Sequence, residues 1–192
     1  MINKYLGDKM LTLNVESNDL IFTDIKKENL KDVLALYNQN EQNIYATGID
    51  GQLSLKDIRE KYLEVLVNSH EFFTGIFIKD NCGENIQTKM IGVVKGRIDY
   101  ENSEEAWISS LIIDSRYQRR GMGTKTVNKL INLLNQSYDV RRVFIGIISR
   151  NEVGSFFWQS LGFGYYRTIE QYIKLNNHAE DLIIMKKEIN AK

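Results

Sequence analysis

Apolar and polar residues change their spacing along this 192-residue chain, and each change marks an element. Residues 20–25 (LIFTDI) read as a short strand, after which Leu30, Val33, Leu34 and Tyr37 recur at the i, i+3, i+4, i+7 spacing of an amphipathic helix. Residues 40–52 hold Gly48 and the Asp50-Gly51 pair, which predict a loop. A second helix is predicted from Ser54, whose spacing to Asp57 approximates a capping box. Leu55, Ile58, Tyr62, Val65 and Leu66 form its expected buried stripe, and its end is expected near Ser69.

From Phe72 the pattern becomes β-rich. The runs FFTGIFIKD, KMIGVVKGRIDY and AWISSLIID, joined by short polar turns, predict an antiparallel meander. A helix with Val127, Leu130, Ile131 and Leu134 on one face follows, then the buried strand RRVFIGIIS, then a short helix over about Val153 to Leu161. After a Gly-Phe-Gly break, YYRTIEQYIKL and DLIIMKKEI read as two last strands. Strand, two helices, three strands, helix, strand, helix, two strands is the order of an α/β fold around one sheet.

Bulk composition narrows the classes. The hydrophobic share of 43% and charged share of 26% suit a folded globular protein, and the length suits one domain over residues 1–192. Net charge is zero, with 25 basic and 25 acidic residues, so the molecule as a whole has no electrostatic pull toward nucleic acid or an anionic membrane. No apolar run approaches the roughly 18–20 residues of a spanning helix, and the first residues lack a signal-peptide core. A cytoplasmic location is the expectation, as a monomer or homodimer. The single cysteine, Cys82, sits in the polar turn NCGEN with no basic neighbour and reads as a passive thiol. His70 and His178 stand far apart without partners at ligand spacing, so no metal site is expected.

Candidate chemistry concentrates in Ser115 to Thr124, SRYQRRGMGT, between an apolar strand and a helix. Bare amides and the macrodipole at a helix N-terminus favour a phosphate, Gly121 and Gly123 allow close approach, and Arg116, Arg119, Arg120 and Lys125 supply local positive charge. A P-loop does not fit, because Gln118 stands at its first glycine and Thr124 stands where its lysine belongs. In NEVGSFFWQSLGF, Val153, Phe156, Phe157 and Leu161 form an expected core stripe, with Asn151, Ser155, Trp158 and Gly162 on a separate, ligand-facing side.

The strand AWISSLIID, the turn QRRGMG, the helix after it and the later N-to-LGF segment resemble the acetyl-CoA-binding motifs of the GCN5-related N-acetyltransferase (GNAT) superfamily. Gln118, Arg119, Arg120, Gly121, Met122 and Gly123 fit its Q/R-x-x-G-x-G/A turn position by position. The likeness in motif and strand order spans about residues 20–189. It implies a single-domain GNAT-like fold with a mixed, mostly antiparallel sheet flanked by helices, and acetyl transfer from acetyl-CoA to a primary amine of a small molecule or peptide, in a ternary complex without metal.

By the same resemblance, amides of Gln118 to Thr124 bind the pyrophosphate of coenzyme A. Backbone groups of Leu111, Ile112 and Ile113 pair with the pantetheine arm, and Asn151 hydrogen-bonds it, with Ser155 and Trp158 on the same helix side. Two positions depart from the family pattern. Trp158 stands where many relatives carry a tyrosine acid, and Trp107 where many carry a glutamate base. An indole N–H donates a hydrogen bond but does not titrate near neutrality. The acid then falls to Tyr165, Tyr166 or water, and the base to one of the nearest carboxylates by sequence, Asp99, Glu104 or Glu105, acting through water, with Glu105 first because it is nearest the strand. Tyr45 and Asp50 are candidates to contact a cationic acceptor. A non-catalytic acyl-CoA-binding module and a nucleotide-binding domain are the competing readings of the cradle.

Overall fold

A computed structural model describes residues 10–17, 20–40, 44–45, 48, 51–82, 85–175 and 177–189, without the side chains of 80–87. Asp50, most of the 40–52 loop and the side chain of Cys82 lie outside the described residues. The strands are β1 (Val15–Glu16), β2 (Ile21–Asp24), β3 (Glu71–Cys82), β4 (Asn85–Ile98), β5 (Glu105–Ile113), β6 (Arg142–Ile148), β7 (Gly164–Leu175) and β8 (His178–Glu188). The helices are α1 (Leu30–Tyr37), α2 (Leu55–Val67), α3 (Met122–Tyr138) and α4 (Glu152–Ser160).

All eight strands join one sheet in the order β1-β2-β3-β4-β5-β6-β8-β7, so the expected α/β architecture holds. Neighbours are antiparallel except β5 and β6, which run parallel. Two apolar layers cover the sheet. On one face Val127, Leu130, Ile131 and Leu134 of α3 pack with Ile108, Ile145 and Met185. On the other, Val33, Leu36 and Tyr37 of α1 and Ile58 of α2 pack with Phe73, Val93 and Ile112. Each large apolar side chain buried this way contributes about 2 kcal/mol relative to exposure.

The capping box of α2 forms as its spacing predicts: Asp57 N donates to Ser54 Oγ (3.3 Å) and Ser54 N donates to Asp57 Oδ2 (2.6 Å). Its stripe is shallower than expected. Ile58 is buried, whereas Leu55 and Leu66 are exposed and Tyr62 and Val65 only border the core. One side of α2 therefore caps the sheet without sinking into it. The faces of α4 are also corrected. Val153 and Phe156, expected inside, are 75% and 70% exposed, while Phe157, Trp158 and Leu161 turn inward. Trp158 lies edge-on to both Phe157 (5.1 Å between centroids) and Phe163 (5.0 Å), so packing of the following strand rotates the helix about one position from the expected stripe.

Register in β5 is broken once. Lys95 pairs with Ser110 and Gly96 with Ile108, which leaves Ser109 as an extra, exposed residue. Even-numbered positions consequently change sides across the bulge: Ile108 packs on the α3 face and Ile112 on the α1 face. Gly96, opposite the bulge, is buried where a methyl group would run into the Trp107 carbonyl oxygen and the Phe72 ring. Among the described residues, no helix is long and apolar enough to cross a membrane. Gly96→Ala is expected to cost about 1–3 kcal/mol through overpacking, read as a lower denaturant midpoint. An unchanged midpoint would show that the bulged pair tolerates a side chain there.

Candidate active site

β5 and β6 are paired over four residues each, from Glu105 with Arg142 to Ile108 with Ile145. Beyond that register no ladder joins them among the described residues, although β5 stays paired to β4 through Ile113 and β6 to β8 through Ile148. Both strands run the same way, and each leads at this open end into a helix. The N-termini of α3 and α4 therefore flank one gap whose edges carry backbone N–H and C=O groups. Buried groups of this kind require partners. The two helices also touch here, since a Cβ at Gly123 would sit 3.2 Å from the Phe157 ring.

The turn from β5 into α3 is built on Asp114. Its side chain is buried and accepts from Arg116 N (2.9 Å), Arg116 Nε (3.0 Å) and Gln39 Nε2 (3.1 Å). Gln39 Oε1 in turn accepts from Ser115 N (3.1 Å), and Asp114 N donates to the Ile91 carbonyl (2.8 Å). The Arg116 guanidinium beside it holds the Asp114 carboxyl well below the usual carboxylate range, against the opposing effect of burial. Arg116 is therefore committed to Asp114, a correction to its expected place in the anion cluster.

Arg119 and Arg120 stay exposed after this turn. Gln118 is occupied within the protein: its Nε2 donates to the Ile113 carbonyl (2.7 Å) and its backbone N to the Ser115 carbonyl (3.3 Å). Arg119 and Gly121 have positive φ (56° and 75°), and Gly121 caps α3 without a side-chain hydrogen bond. A Cβ at Gly121 would meet nothing within 4 Å, so glycine serves the backbone conformation there. Met122 packs against the core and Thr124 is exposed.

Across the gap, Asn151 caps α4 by accepting from Gly154 N (2.9 Å). The turn before it is held by a second buried carboxylate, Glu180, which takes Arg150 Nε at 3.0 Å and the Ser149 hydroxyl at 3.4 Å. Ser155 accepts weakly from Gln159 Nε2 (3.4 Å). Leu111, Ile112 and Ile113 line the β5 side of the gap beyond its last pair with β6.

Of the two residues expected to move protons, Glu105 lies away from the gap. Glu105 sits at the closed end of the β5–β6 pair, three residues or about 10 Å before the gap. It is bound there by Arg142 (2.8 Å) and accepts from Asn102 Nδ2 (3.1 Å). Tyr165 is 68% exposed on the outer strand, and its hydroxyl is 3.3 Å from Thr168 Oγ1. Trp107 stacks on Phe144 (4.9 Å, 19°), and Tyr166 meets Phe144 edge-on at 5.5 Å. Among the described residues, no group of three or more His, Cys, Asp or Glu side chains converges as a metal site.

Sequence reasoning missed a hydroxyl pair at the gap. Tyr37, counted among the apolar positions of α1, is buried with its Oη 3.2 Å from Ser110 Oγ, the first residue past the bulge. Burial pushes the Tyr37 hydroxyl up, partly offset by the Ser110 hydrogen bond and by Lys95. Desolvation works against the Lys95 ammonium, but Glu64 (2.9 Å) and Glu71 (3.1 Å) outweigh it and raise its pKa. No local spacing signals a contact between residues 73 apart.

A model of the Acetyltransferase (GNAT) domain matches residues 23–184. The chain belongs to the GNAT family. This GNAT chain is 27% identical over 97 residues to N-alpha-acetyltransferase 50 of Danio rerio, covering 50% of this chain and 58% of that protein. It is 26% identical over 83 residues to the spermine/spermidine N(1)-acetyltransferase of Bacillus subtilis, covering 43% and 55%. The match thus spans little more than half of these relatives. Among solved structures, spermidine N-acetyltransferase of Vibrio cholerae with CoA and spermine superposes with a TM-score of 0.74 at 16% identity, over 90% of this chain and 96% of that one. A microcin self-immunity acetyltransferase with acetyl-CoA and AMP gives 0.71 at 21%, over 90% and 94%. These structures share the fold.

The Asp114 clamp yields a pH signature. With its folded-state pKa depressed, Asp114 stabilises the protein fully above the ordinary carboxylate pKa of about 4, and this contribution is lost as pH falls toward the depressed value. Asp114→Asn is expected to lower stability at pH 7 by about 2 kcal/mol and to flatten the acid limb of Tm against pH. Identical acid limbs for the two proteins would remove Asp114 as the anchor of the turn.

Proposed function

We propose that this GNAT chain is an acetyl-CoA-dependent N-acetyltransferase acting on a primary amine of a small molecule or a peptide. The observation that carries the reading is the gap between β5 and β6, flanked by the N-termini of α3 and α4 and left without a ladder beyond Ile108 and Ile145. An extended amide-containing arm can pair with Leu111, Ile112 and Ile113 as an added strand, with Asn151 across from it. Amides of Arg119 to Thr124 serve the pyrophosphate, and the exposed Arg119 and Arg120 screen its charge. Ser155 and Trp158 support the same arm from α4. A pantetheine thioester, when bound, supplies an acyl carbon already activated toward amines.

The protein's task is placement and deprotonation. An alkylamine of pKa about 10.4 is neutral in only about one part in 10³ at pH 7, so a site that disfavours the ammonium speeds attack. The ion pair of Glu105 with Arg142 supports a structural role for that carboxylate, with water as the proton acceptor, while the exposed Tyr165 hydroxyl remains a candidate acid.

A pocket for the acceptor amine would lie on the α1 and α2 side of the sheet, toward Gly48, where a Cβ would lie 3.4 Å from Ile173 of β7. Tyr45, half-buried, remains a candidate for acceptor contact. Relatives carry names for polyamine and for protein N-terminal acetylation, and both classes offer a primary amine. We place the enzyme in the cytoplasm, consistent with its one cysteine.

The competing reading, an acyl-CoA-binding module without catalysis, is favoured by the tryptophans at 107 and 158. Purified protein incubated with acetyl-CoA and a panel of polyamines, amino acids and peptide N-termini is expected to release free thiol only when an amine is present. Tight CoA binding with no amine-dependent thiol release across the panel would establish the binding module. Thermal stabilisation by ATP but not by CoA would establish a nucleotide site.

A further inference from the structure

A hydroxyl pair stands on the face of the sheet opposite the one that carries α4. Ser110 is the first residue after the bulge, two positions beyond the last β5–β6 pair, so it stands where the strands have begun to part. The bulge turns its side chain toward α1, unlike Ile108, which points to α3. There the buried Tyr37 holds it, Oη to Oγ at 3.2 Å. When Tyr37 donates within this pair, the Ser110 proton is directed away from Tyr37. Lys95, the cross-strand partner of Ser110, lies on the same side and is itself held by Glu64 and Glu71.

We propose that Ser110 donates a hydrogen bond to the negative charge that develops on the thioester as the amine attacks, and that Tyr37 is the positioning residue that orients it. The inference rests on the acetyltransferase reading above. Both hydroxyls keep their protons. The amine nitrogen forms its bond to the acyl carbon, the electron pair of the breaking C–S bond goes to sulfur, and the proton that the nitrogen loses passes through water to the departing thiolate. A tyrosine raised by burial is a poor proton source for a thiolate, whose conjugate acid has a pKa near 8.5 in the cysteine side chain. It remains a sound hydrogen-bond donor over the working pH range. A donor aimed where charge develops contributes to kcat without adding to ground-state affinity. Trp158, packed between Phe157 and Phe163, is then relieved of any acid role.

The test compares wild type, S110A, S110T, Y37F and the S110A/Y37F double variant with acetyl-CoA and the best amine of the panel. Each variant is also checked by thermal unfolding and by Kd for CoA. S110A is expected to lower kcat by about 10²-fold with KM for acetyl-CoA and Kd for CoA unchanged. S110T, which keeps a hydroxyl, recovers most of that loss. Y37F lowers kcat by about tenfold, and the double variant falls no further than S110A, because Tyr37 acts only through Ser110. Three results would overturn the inference: S110A turning over within twofold of wild type, S110T as impaired as S110A, or multiplicative losses in the double variant. An inactive wild type overturns acetyl transfer itself, and this inference with it. An active wild type matched by S110A overturns the inference alone.

Discussion

The parting of β5 from β6 is the constraint on which the other features depend. Two parallel strands share only four pairs, and past them each edge faces a gap, with the Ile113 carbonyl held by Gln118 and the Ile148 carbonyl by Asn151 N at its far end. Such edges are costly unless something pairs with them. β5 is free to leave because its other edge stays bound to β4, and the bulge at Ser109 bends it at the point of departure. The room that a methyl would take at Gly96 is filled by the Trp107 carbonyl and the Phe72 ring, which lets the bulged strand approach β4 closely.

Keeping the gap open requires that the turns at its mouth be rigid, and the same device secures both. Asp114 after β5 and Glu180 beside the end of β6 are buried carboxylates, and each holds an arginine whose head reaches solvent. Each pins the turn that delivers a helix N-terminus, α3 in one case and α4 in the other. Buried charge is expensive, but a carboxylate with an arginine and backbone or hydroxyl donors meets most of that cost. The arrangement buys local order where a phosphorylated ligand has to meet amides in fixed positions.

The elements with strong periodicity were legible from the chain. The β-branched runs of β3 to β6, the stripe of α3, the Ser54–Asp57 box and the glycine turn at 118–123 correspond to features of the fold, and the turn together with Asn151 carried the family resemblance. What escaped depends on contacts between distant residues. AWISSLII is apolar on both sides of its two serines, as in a strand covered on both faces, so no period-2 pattern exists there whose break would locate the extra residue at Ser109. Arg116 reads as a free cation because Asp114, its partner in the fold, stands in sequence as the last residue of a strand run. α4 has only nine residues, too few for its periodicity to decide which aromatic faces inward, and packing of Trp158 against Phe163 settled the matter. Tyr37 passed as apolar because its hydroxyl finds Ser110 only once α1 lies on the sheet.

The central claim is that the gap between β5 and β6 is filled by the amide-bearing arm of coenzyme A acting as an added strand. Amide hydrogen exchange with and without saturating CoA tests it most directly. Asp114 N donates to Ile91 of β4, so in the same ladder Ile112 N also faces β4, whereas the amides of Leu111 and Ile113 face the gap. Protection is expected for Leu111, Ile113, Arg119 to Thr124 and the first turn of α4, with β1 to β3 unchanged. CoA binding that leaves the amides of Leu111 and Ile113 exchanging at their unliganded rates would contradict the claim.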